Sequence, residues 1–296
     1  MNLSKTILGF LGDIIDKQLL FNASALSYTT VLLLVPLIAL TLWTTNLMLK
    51  GYGPQEYDRI IDRMITRVAP QVKLLDEQSQ NNDSQSVLPS KQDIRKEIKS
   101  FIETFGTGTA GLISLGTLFF LGASLVMTLE HSLDIIWEIE YDRSWWKRLG
   151  LYLSFQLLIV IVLVFLIGIN TFLQSLSLSG YLSYAAPLQG LMQYVFPFAI
   201  LVLSLTFVYR VLTNKEVSLI HAFGGGLFGG ILLQLNNLLY GLYVYNLASA
   251  RKFYGSLAIL PVILVGLYIT WFLILLGALA ARHLEQYLKR REQAST

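Results

Sequence analysis

The sequence predicts an all-α fold, a polytopic membrane helix bundle with six transmembrane helices. Six apolar runs predict it, at about residues 28–49, 108–129, 150–172, 188–212, 219–246 and 256–281. Each run is long enough to cross a bilayer, since a spanning helix needs roughly 20 predominantly apolar residues. In addition, no Asp, Glu, Lys, Arg or His occurs between Leu149 and Val208, which covers two of the runs and their connection. A soluble domain does not leave so long a stretch uncharged.

Composition points the same way. Hydrophobic residues make up 54% and charged residues 14% of the chain, against roughly 25% charged residues in ordinary soluble domains. We therefore expect one integral domain over residues 1–296, with the lipid bilayer as its surroundings. The net charge of +3 is too small to indicate a nucleic-acid partner, and the lack of cysteine excludes disulfides and thiolate metal sites. No cofactor is indicated, and oligomerisation stays open.

Residues 1–22, before the first span, predict an amphipathic helix on the membrane surface. Apolar residues recur there at helical spacing. They are Ile7, Leu8, Leu11, Ile14, Ile15 and Leu19. Asp13 and Asp16, together with the lack of a small-residue cleavage pattern, argue against a cleaved signal peptide.

The segment 50–107 predicts an extracytoplasmic helical hairpin. Its two ends have helical periodicity, whereas roughly Asp76–Ser90 is rich in Gln, Asn, Ser and Asp and predicts a flexible linker. The hairpin is either a lid or partner-docking element, or a solvated cap over the loop ends. The cap is the more frequent arrangement for such loops.

The basic residues predict the orientation of the chain. Eleven Lys and Arg residues lie in the short segments on the side of the two termini, against only Arg251 and Lys252 in the two short loops on the other side. By the positive-inside tendency, both termini are cytoplasmic and 50–107 is outside.

The fifth predicted span carries a stripe of small and amide residues. Gly226, Gly230, Gln234, Asn237 and Gly241 fall within an arc of about 80° at roughly 100° per residue. The stripe predicts either close helix packing, with the amides bonded to a neighbouring helix, or the polar wall of a cavity that a substrate head group passes. Packing is the more frequent use of such a stripe.

Two other spans contain interior prolines, Pro36 and Pro197. Each denies a hydrogen bond to the carbonyl four residues earlier and so predicts a kink. Their comparable positions would fit an inverted repeat of three plus three spans, although chance is the better explanation of two prolines.

The end of the second predicted span holds the densest group of ionisable residues. Glu130, Asp134 and Glu138 follow one another at i, i+4 spacing. Because an unpaired charge is costly in hydrocarbon, we expect them either at the interface, neutralised by Arg143 and Lys147, or turned inward toward a basic partner such as Arg210. The inward arrangement would suit a proton- or cation-coupling site, whereas the interfacial one is the more frequent.

Motifs of catalysis and metal binding are missing from the sequence. The three histidines, His131, His221 and His283, lie far apart without H-x-x-x-H spacing, and no G-x-S-x-G elbow or P-loop occurs. The sequence therefore gives no reason to expect an enzyme or a metal site.

Five parts of the sequence resemble motifs of the YihY/BrkB family of bacterial inner-membrane proteins. They are Ala25–Tyr28 with Leu34–Leu37, Leu129–Trp137 (LxxxLNxIW), Tyr209–Asn214 (YRxxPN), Tyr254–Ala258 (YGxLA) and Leu275–Ala278 (LLGAE). The likeness runs in order through the chain after the first twenty residues. Departures at Asp134, Thr213, Gly266 and Leu279 indicate a distant branch.

The resemblance implies a six-helix inner-membrane protein with no settled molecular activity. Some members carry virulence or serum-resistance labels, and others an old ribonuclease label. A metal-dependent ribonuclease needs carboxylates or histidines gathered in a hydrated site. The sequence shows no such group on the cytoplasmic side, so we set the ribonuclease label aside.

Two functions from different classes remain. The first is a transporter or lipid translocator that handles an anionic or amphipathic substrate in a cleft between helices. Its candidate lining residues are Tyr28, Glu130, Asp134, Arg210, Gln234 and Asn237. Arg210 would bind a phosphate or carboxylate group, and we expect it to approach Glu130 and Asp134 in the bundle interior. The second is a non-catalytic membrane scaffold that binds partner proteins, and we prefer the first.

Overall fold

The computed structural model describes residues 3–49, 108–140, 144, 146–157, 168, 186–254 and 259–295, and the regular structure among them is helical. The helices are α1 (Leu3–Asp16), α2 (Leu19–Leu49), α3 (Gly108–Trp137), α4 (146–157), α5 (Ala186–Val211), α6 (Leu219–Tyr254) and α7 (Ile259–Ser295). The predicted all-α class is confirmed.

Four stretches of these helices are long and apolar enough to cross a membrane. They are Leu19–Thr41, Gly111–Trp137, Leu219–Leu239 and Ile263–Gln293, and a shorter apolar stretch is Val195–Val211. The four long stretches and the shorter one correspond to five of the six predicted spans. Most of the predicted third span, 150–172, and the whole predicted hairpin, 50–107, lie outside the described residues. The count of six spans therefore stays a prediction.

The chain divides into two compact units, one of Met1–Val31 with Gly122–Thr296 and one of Leu32–Leu121. In the second unit, Gly111 of α3 lies directly against the indole ring of Trp43 in α2. A side chain at position 111 would occupy the space of that ring, so this glycine lets the two helices approach closely. The prediction of a single domain over 1–296 is not decided by this division.

The first unit begins with α1, at the place where the sequence predicts a helix. α1 and α2 are separated at Gln18, whose φ of 54° is left-handed and interrupts the helix. Phe10 of α1 packs on the His283 ring of α7 with centroids 5.2 Å apart, and Asp13 Oδ2 lies 2.8 Å from His283 Nε2. One face of α1 thus binds α7, and its position on a membrane surface stays a prediction.

The centre of the first unit is the packing of α5, α6 and α7, which depends on small residues. A Cβ on Gly225 of α6 would lie 2.6 Å from the carbonyl oxygen of Gly277 in α7. A Cβ on Gly277 would lie 3.0 Å from Gly229 Cα. Tyr209 of α5 is fully buried beside them and donates a hydrogen bond of 2.6 Å to the Ile274 carbonyl. The backbones of α6 and α7 are therefore in near contact, and Tyr209 joins α5 to both.

Candidate functional site

A polar network surrounds the end of α3 in the first unit, and Glu130 is its most buried member. Glu130 is 1% exposed. The Tyr152 hydroxyl of α4 donates to its Oε2 at 2.6 Å, and Arg148 Nε of α4 lies 3.3 Å from the same atom. The other oxygen, Oε1, has no hydrogen-bond partner within the described part of the chain. The charge of Glu130 is thus compensated inside the protein by α4.

One turn later, Asp134 binds the segment that follows α5. The Asn214 backbone N–H donates to Asp134 Oδ1 at 3.0 Å, and the Asn214 side-chain Nδ2 donates to Oδ2 at 2.5 Å. Two bonds from one residue fix both the position and the orientation of this segment relative to α3. The strings that resemble LxxxLNxIW and YRxxPN, distant in sequence, therefore meet at this contact.

Glu138, directly after α3, is bound from two other helices. Its carboxylate pairs with Lys17, at the end of α1, and with Arg282 Nη2 of α7 at 2.8 Å. Glu138 has a left-handed φ of 56°, a conformation that ends α3 and that non-glycine residues adopt only at a cost. The hydrogen bond from Lys17 is the main cause that holds the pKa of Glu138 below its ordinary value of 4.5, and the nearby charge of Arg282 acts in the same direction.

We expect this ion cluster to be sensitive to acid. Because the pKa of Glu138 is lowered in the folded state, its stabilising effect is complete above pH about 5 and is lost as the pH falls below 4.5. The melting temperature of the protein should exceed that of Glu138→Gln at pH 7, and the difference should shrink at about pH 3.5. The exposed Glu140→Gln is the control and should show a smaller difference. An equal difference at both pH values would contradict the role of Glu138.

Glu285 of α7 completes the network. Its Oε1 lies 3.0 Å from Lys215 Nζ and 2.7 Å from Lys289 Nζ, and the Trp137 indole N–H donates to Oε2 at 3.3 Å. The carboxylate is buried, with 7% of its side chain exposed. α3, α7 and the segment after α5 are therefore held together at the same end of the unit.

A cavity of about 430 Å³ adjoins the buried pair of Glu130 and Arg148. It is lined by Met127, His131, Asp134, Ile139, Glu140, Arg148 and Tyr152. Carboxylates and a guanidinium thus face one space and could bind a polar or zwitterionic group. Among the described residues, no group of three His, Cys, Asp or Glu side chains could hold a metal ion.

The predicted approach of Arg210 to Glu130 is wrong. Glu130 is paired with Arg148, whereas Arg210 is exposed. The reason is helix geometry, because Tyr209 takes the buried position and the next residue points roughly 100° away from it. Tyr28 and Asn237 are also exposed, so they share no interior pocket with Glu130.

Neutralisation of the acidic end of α3 by Lys147 is not seen among the described ion pairs, and neutralisation by Arg143 stays a prediction. Lys147 is exposed, and Arg143 lies outside the described residues. The described partners are Arg148, which directly follows Lys147, Lys17 at the end of α1, and Arg282 of α7. Sequence reasoning missed them because no local spacing connects them with α3.

The stripe on α6 has two different environments. Gly226 and Gly230 are buried against α5: a Cβ on Gly226 would lie 2.6 Å from Thr206 Oγ1, and one on Gly230 would lie 2.9 Å from Val202 Cγ2. Further along α6, Gln234 and Asn237 are exposed. Gly226 and Gly230 therefore pack against a neighbouring helix, as the packing alternative predicts. Gln234 and Asn237 form the open part of the stripe.

The remaining members of the predicted set lie within helices. Gly241 lies in α6, in a stretch whose packing is outside the described part. Pro36 is buried within α2 and Pro197 is exposed within α5. Each proline lies inside a continuous helix, and neither helix ends at its proline.

Comparison with known proteins assigns the chain to a family. A family model described as Virulence factor BrkB matches residues 10–296. A UPF0761 membrane protein of Alkalilimnicola ehrlichii is 28% identical over 278 residues, which are 93% of this chain and 57% of that protein. For a UPF0761 membrane protein of Psychromonas ingrahamii the identity is 28% over 273 residues, 91% of this chain and 84% of that protein. No solved structure matches the chain.

Proposed function

The chain belongs to the BrkB family and is an integral membrane protein, and we propose that it is a lipid translocator of the bacterial inner membrane. In this proposal both termini are cytoplasmic, and the polar head group of a phospholipid passes along the open part of the α6 stripe. The acyl chains stay in the bilayer beside the helix. The amides of Gln234 and Asn237 bind the head group in passage.

The change from packed to open along the stripe is the observation that carries the proposal. Gly226, Gly230, Leu233 and Asn237 follow one another on one side of α6. The two glycines and Leu233 are buried, whereas Asn237, one turn beyond Leu233, is exposed. This side of α6 is therefore buried as far as Leu233 and exposed at Asn237.

α5 offers a physical reason for the change. Phe198 of α5 lies 3.5 Å from the Cβ position of Gly230, and Pro197 precedes it. A proline inside a helix removes the hydrogen bond to the carbonyl four residues earlier and weakens the helix there. The uncovered part of the stripe thus begins near a point where α5 is able to bend.

Exposed amides in a spanning helix need an explanation, because a polar group that faces hydrocarbon has no partner. Leu219–Leu239 is a membrane-span candidate, and both amides lie near its end. The side chains of Gln234 and Asn237 are both exposed. A passing head group, with its water, would supply the missing partners.

Reconstitution in vesicles tests the proposal. Vesicles that contain a fluorescent phosphatidylglycerol are treated with dithionite, which bleaches only the outer leaflet unless the lipid crosses. The protein should allow complete bleaching, and Gln234→Leu with Asn237→Leu should slow it roughly tenfold to a hundredfold, since losing two bonds of about 1 kcal/mol each raises the barrier. Asn236→Leu, an amide on a different side of α6, is the matched control and should leave the rate unchanged.

Two outcomes would contradict the proposal. Vesicles with the folded protein that bleach no faster than empty vesicles would favour the scaffold alternative. Equal rates for the double variant and Asn236→Leu would show that the stripe is not the path.

A further inference from the structure

We propose that a second cavity, at the beginning of α6, binds the phosphate group of an anionic phospholipid. The cavity has a volume of about 560 Å³. Its polar lining residues are Ser218, His221, Lys289, Arg291 and Glu292. None of them belongs to the α6 stripe. Lys289 alone among them also takes part in the polar network around Glu130, through its ion pair with Glu285.

The charges that line the cavity favour an anion. Lys289 and Arg291 are cationic and Glu292 is the one carboxylate in the described lining, and Lys289 is also paired with Glu285 outside it. The Arg291 guanidinium lies over the ring of Tyr287, 5.9 Å from its centroid. This contact holds the guanidinium while its remaining N–H groups stay available to a ligand.

His221 adds a polar atom without a partner. Its Nδ1 is buried and has no hydrogen-bond partner among the residues that the structure describes. A buried ring nitrogen left unpaired costs free energy, and a phosphate oxygen would accept a hydrogen bond from it in the tautomer that carries the hydrogen on Nδ1. A residue that lines the cavity thus has a buried polar atom with no partner among the described residues.

The backbone of α6 contributes donors to the same place. The first helical hydrogen bond runs from the Ala222 N–H to the Ser218 carbonyl at 3.0 Å. The N–H groups of residues 219–221 precede it and have no acceptor within the helix. They carry the positive end of the dipole of a 36-residue helix. These donors reinforce the basic side chains.

The apolar residues beside the cavity indicate a lipid as the source of the phosphate. Leu219, Ile220 and Phe223 are 55%, 71% and 45% exposed, and Ile220 also lines the cavity. A basic site flanked by exposed apolar side chains matches a phospholipid at the interface, with its head group on the cations and its acyl chains along the apolar residues. A free phosphate ion would make no use of the apolar side chains.

Native mass spectrometry of the detergent-purified protein tests this site. We expect phosphatidylglycerol to bind at least about tenfold more tightly than phosphatidylcholine, because only the first carries net charge. Arg291→Gln should weaken phosphatidylglycerol binding about fivefold or more by removing charge-assisted bonds. Arg290→Gln is the matched control, since this exposed neighbour does not line the cavity, and it should bind as the unchanged protein does.

Each contrary result overturns a part of the proposal. Equal weakening by Arg290→Gln and Arg291→Gln would show general attraction to a basic surface instead of a site. Inorganic phosphate that binds as tightly as phosphatidylglycerol would show an anion site without lipid. The translocation proposal is independent of both results, because Gln234 and Asn237 are unchanged in these variants.

Discussion

Glu130→Ala is expected to destabilise the protein strongly, because it leaves Arg148 without its buried counter-ion and the Tyr152 hydroxyl without its acceptor. Removing one partner of a buried ion pair typically costs about 3–5 kcal/mol. The Arg148 side chain is 28% exposed and is able to reach water, so we expect about 2–3 kcal/mol here. Glu130→Gln should lose less, since it keeps an acceptor for Tyr152.

Thermal unfolding in detergent, followed by tryptophan fluorescence, measures the effect. The double-mutant cycle of Glu130→Ala with Arg148→Met should give a coupling of about 1 kcal/mol or more, since the second change removes the stranded charge. Glu140→Ala removes an exposed carboxylate near the same cavity and is the control. A melting temperature of Glu130→Ala equal to that of the control would show that the pair does not stabilise the fold.

The acidic cluster was predictable from the sequence, and its partners were not. Glu130, Asp134 and Glu138 stand out because they follow a long apolar run at helical spacing. Their partners depend on which helices meet at that end of the unit. Arg148, one of several basic residues after α3, has no spacing that singles it out, so only the folded chain identifies it.

The prediction for Arg210 failed for a different reason, because the sequence does not show which way its side chain points. A lone arginine at the end of an uncharged run indicates a functional charge, but the run around it is apolar on every side and so gives no hydrophobic face to orient the helix. Tyr209 takes the buried position because its hydroxyl reaches the Ile274 carbonyl, a contact between α5 and α7. Arg210 is then exposed as a consequence.

Packing by small residues was predicted for one side of α6 and overlooked for the adjacent side. Gly226 and Gly230 contact α5 as expected. Gly225 and Gly229 contact α7, and their i, i+4 spacing in the glycine-rich start of α6 is a signal that the sequence does contain. Two adjacent glycine sides mean that α6 lies close to two helices at once.

Gly225→Ala is the sharpest test of this close packing. The added methyl group would meet the Gly277 carbonyl oxygen at 2.6 Å. Since backbone cannot move aside as a side chain can, we expect a loss of about 1–3 kcal/mol, the usual cost of overpacking. The gain of about 1 kcal/mol in helix propensity from Gly to Ala cancels the low end of this range and leaves a net loss of up to about 2 kcal/mol.

Gly224→Ala is the matched control, with the same chemical change at the preceding residue. Its methyl group would meet only Leu284 Cδ2, at 2.5 Å, which is the end of a flexible side chain and is able to rotate away. We therefore expect the melting temperature of Gly224→Ala to equal or exceed that of the unchanged protein, and that of Gly225→Ala to fall by several degrees. Equal melting temperatures for the two variants would mean that α6 and α7 are farther apart than the structure places them.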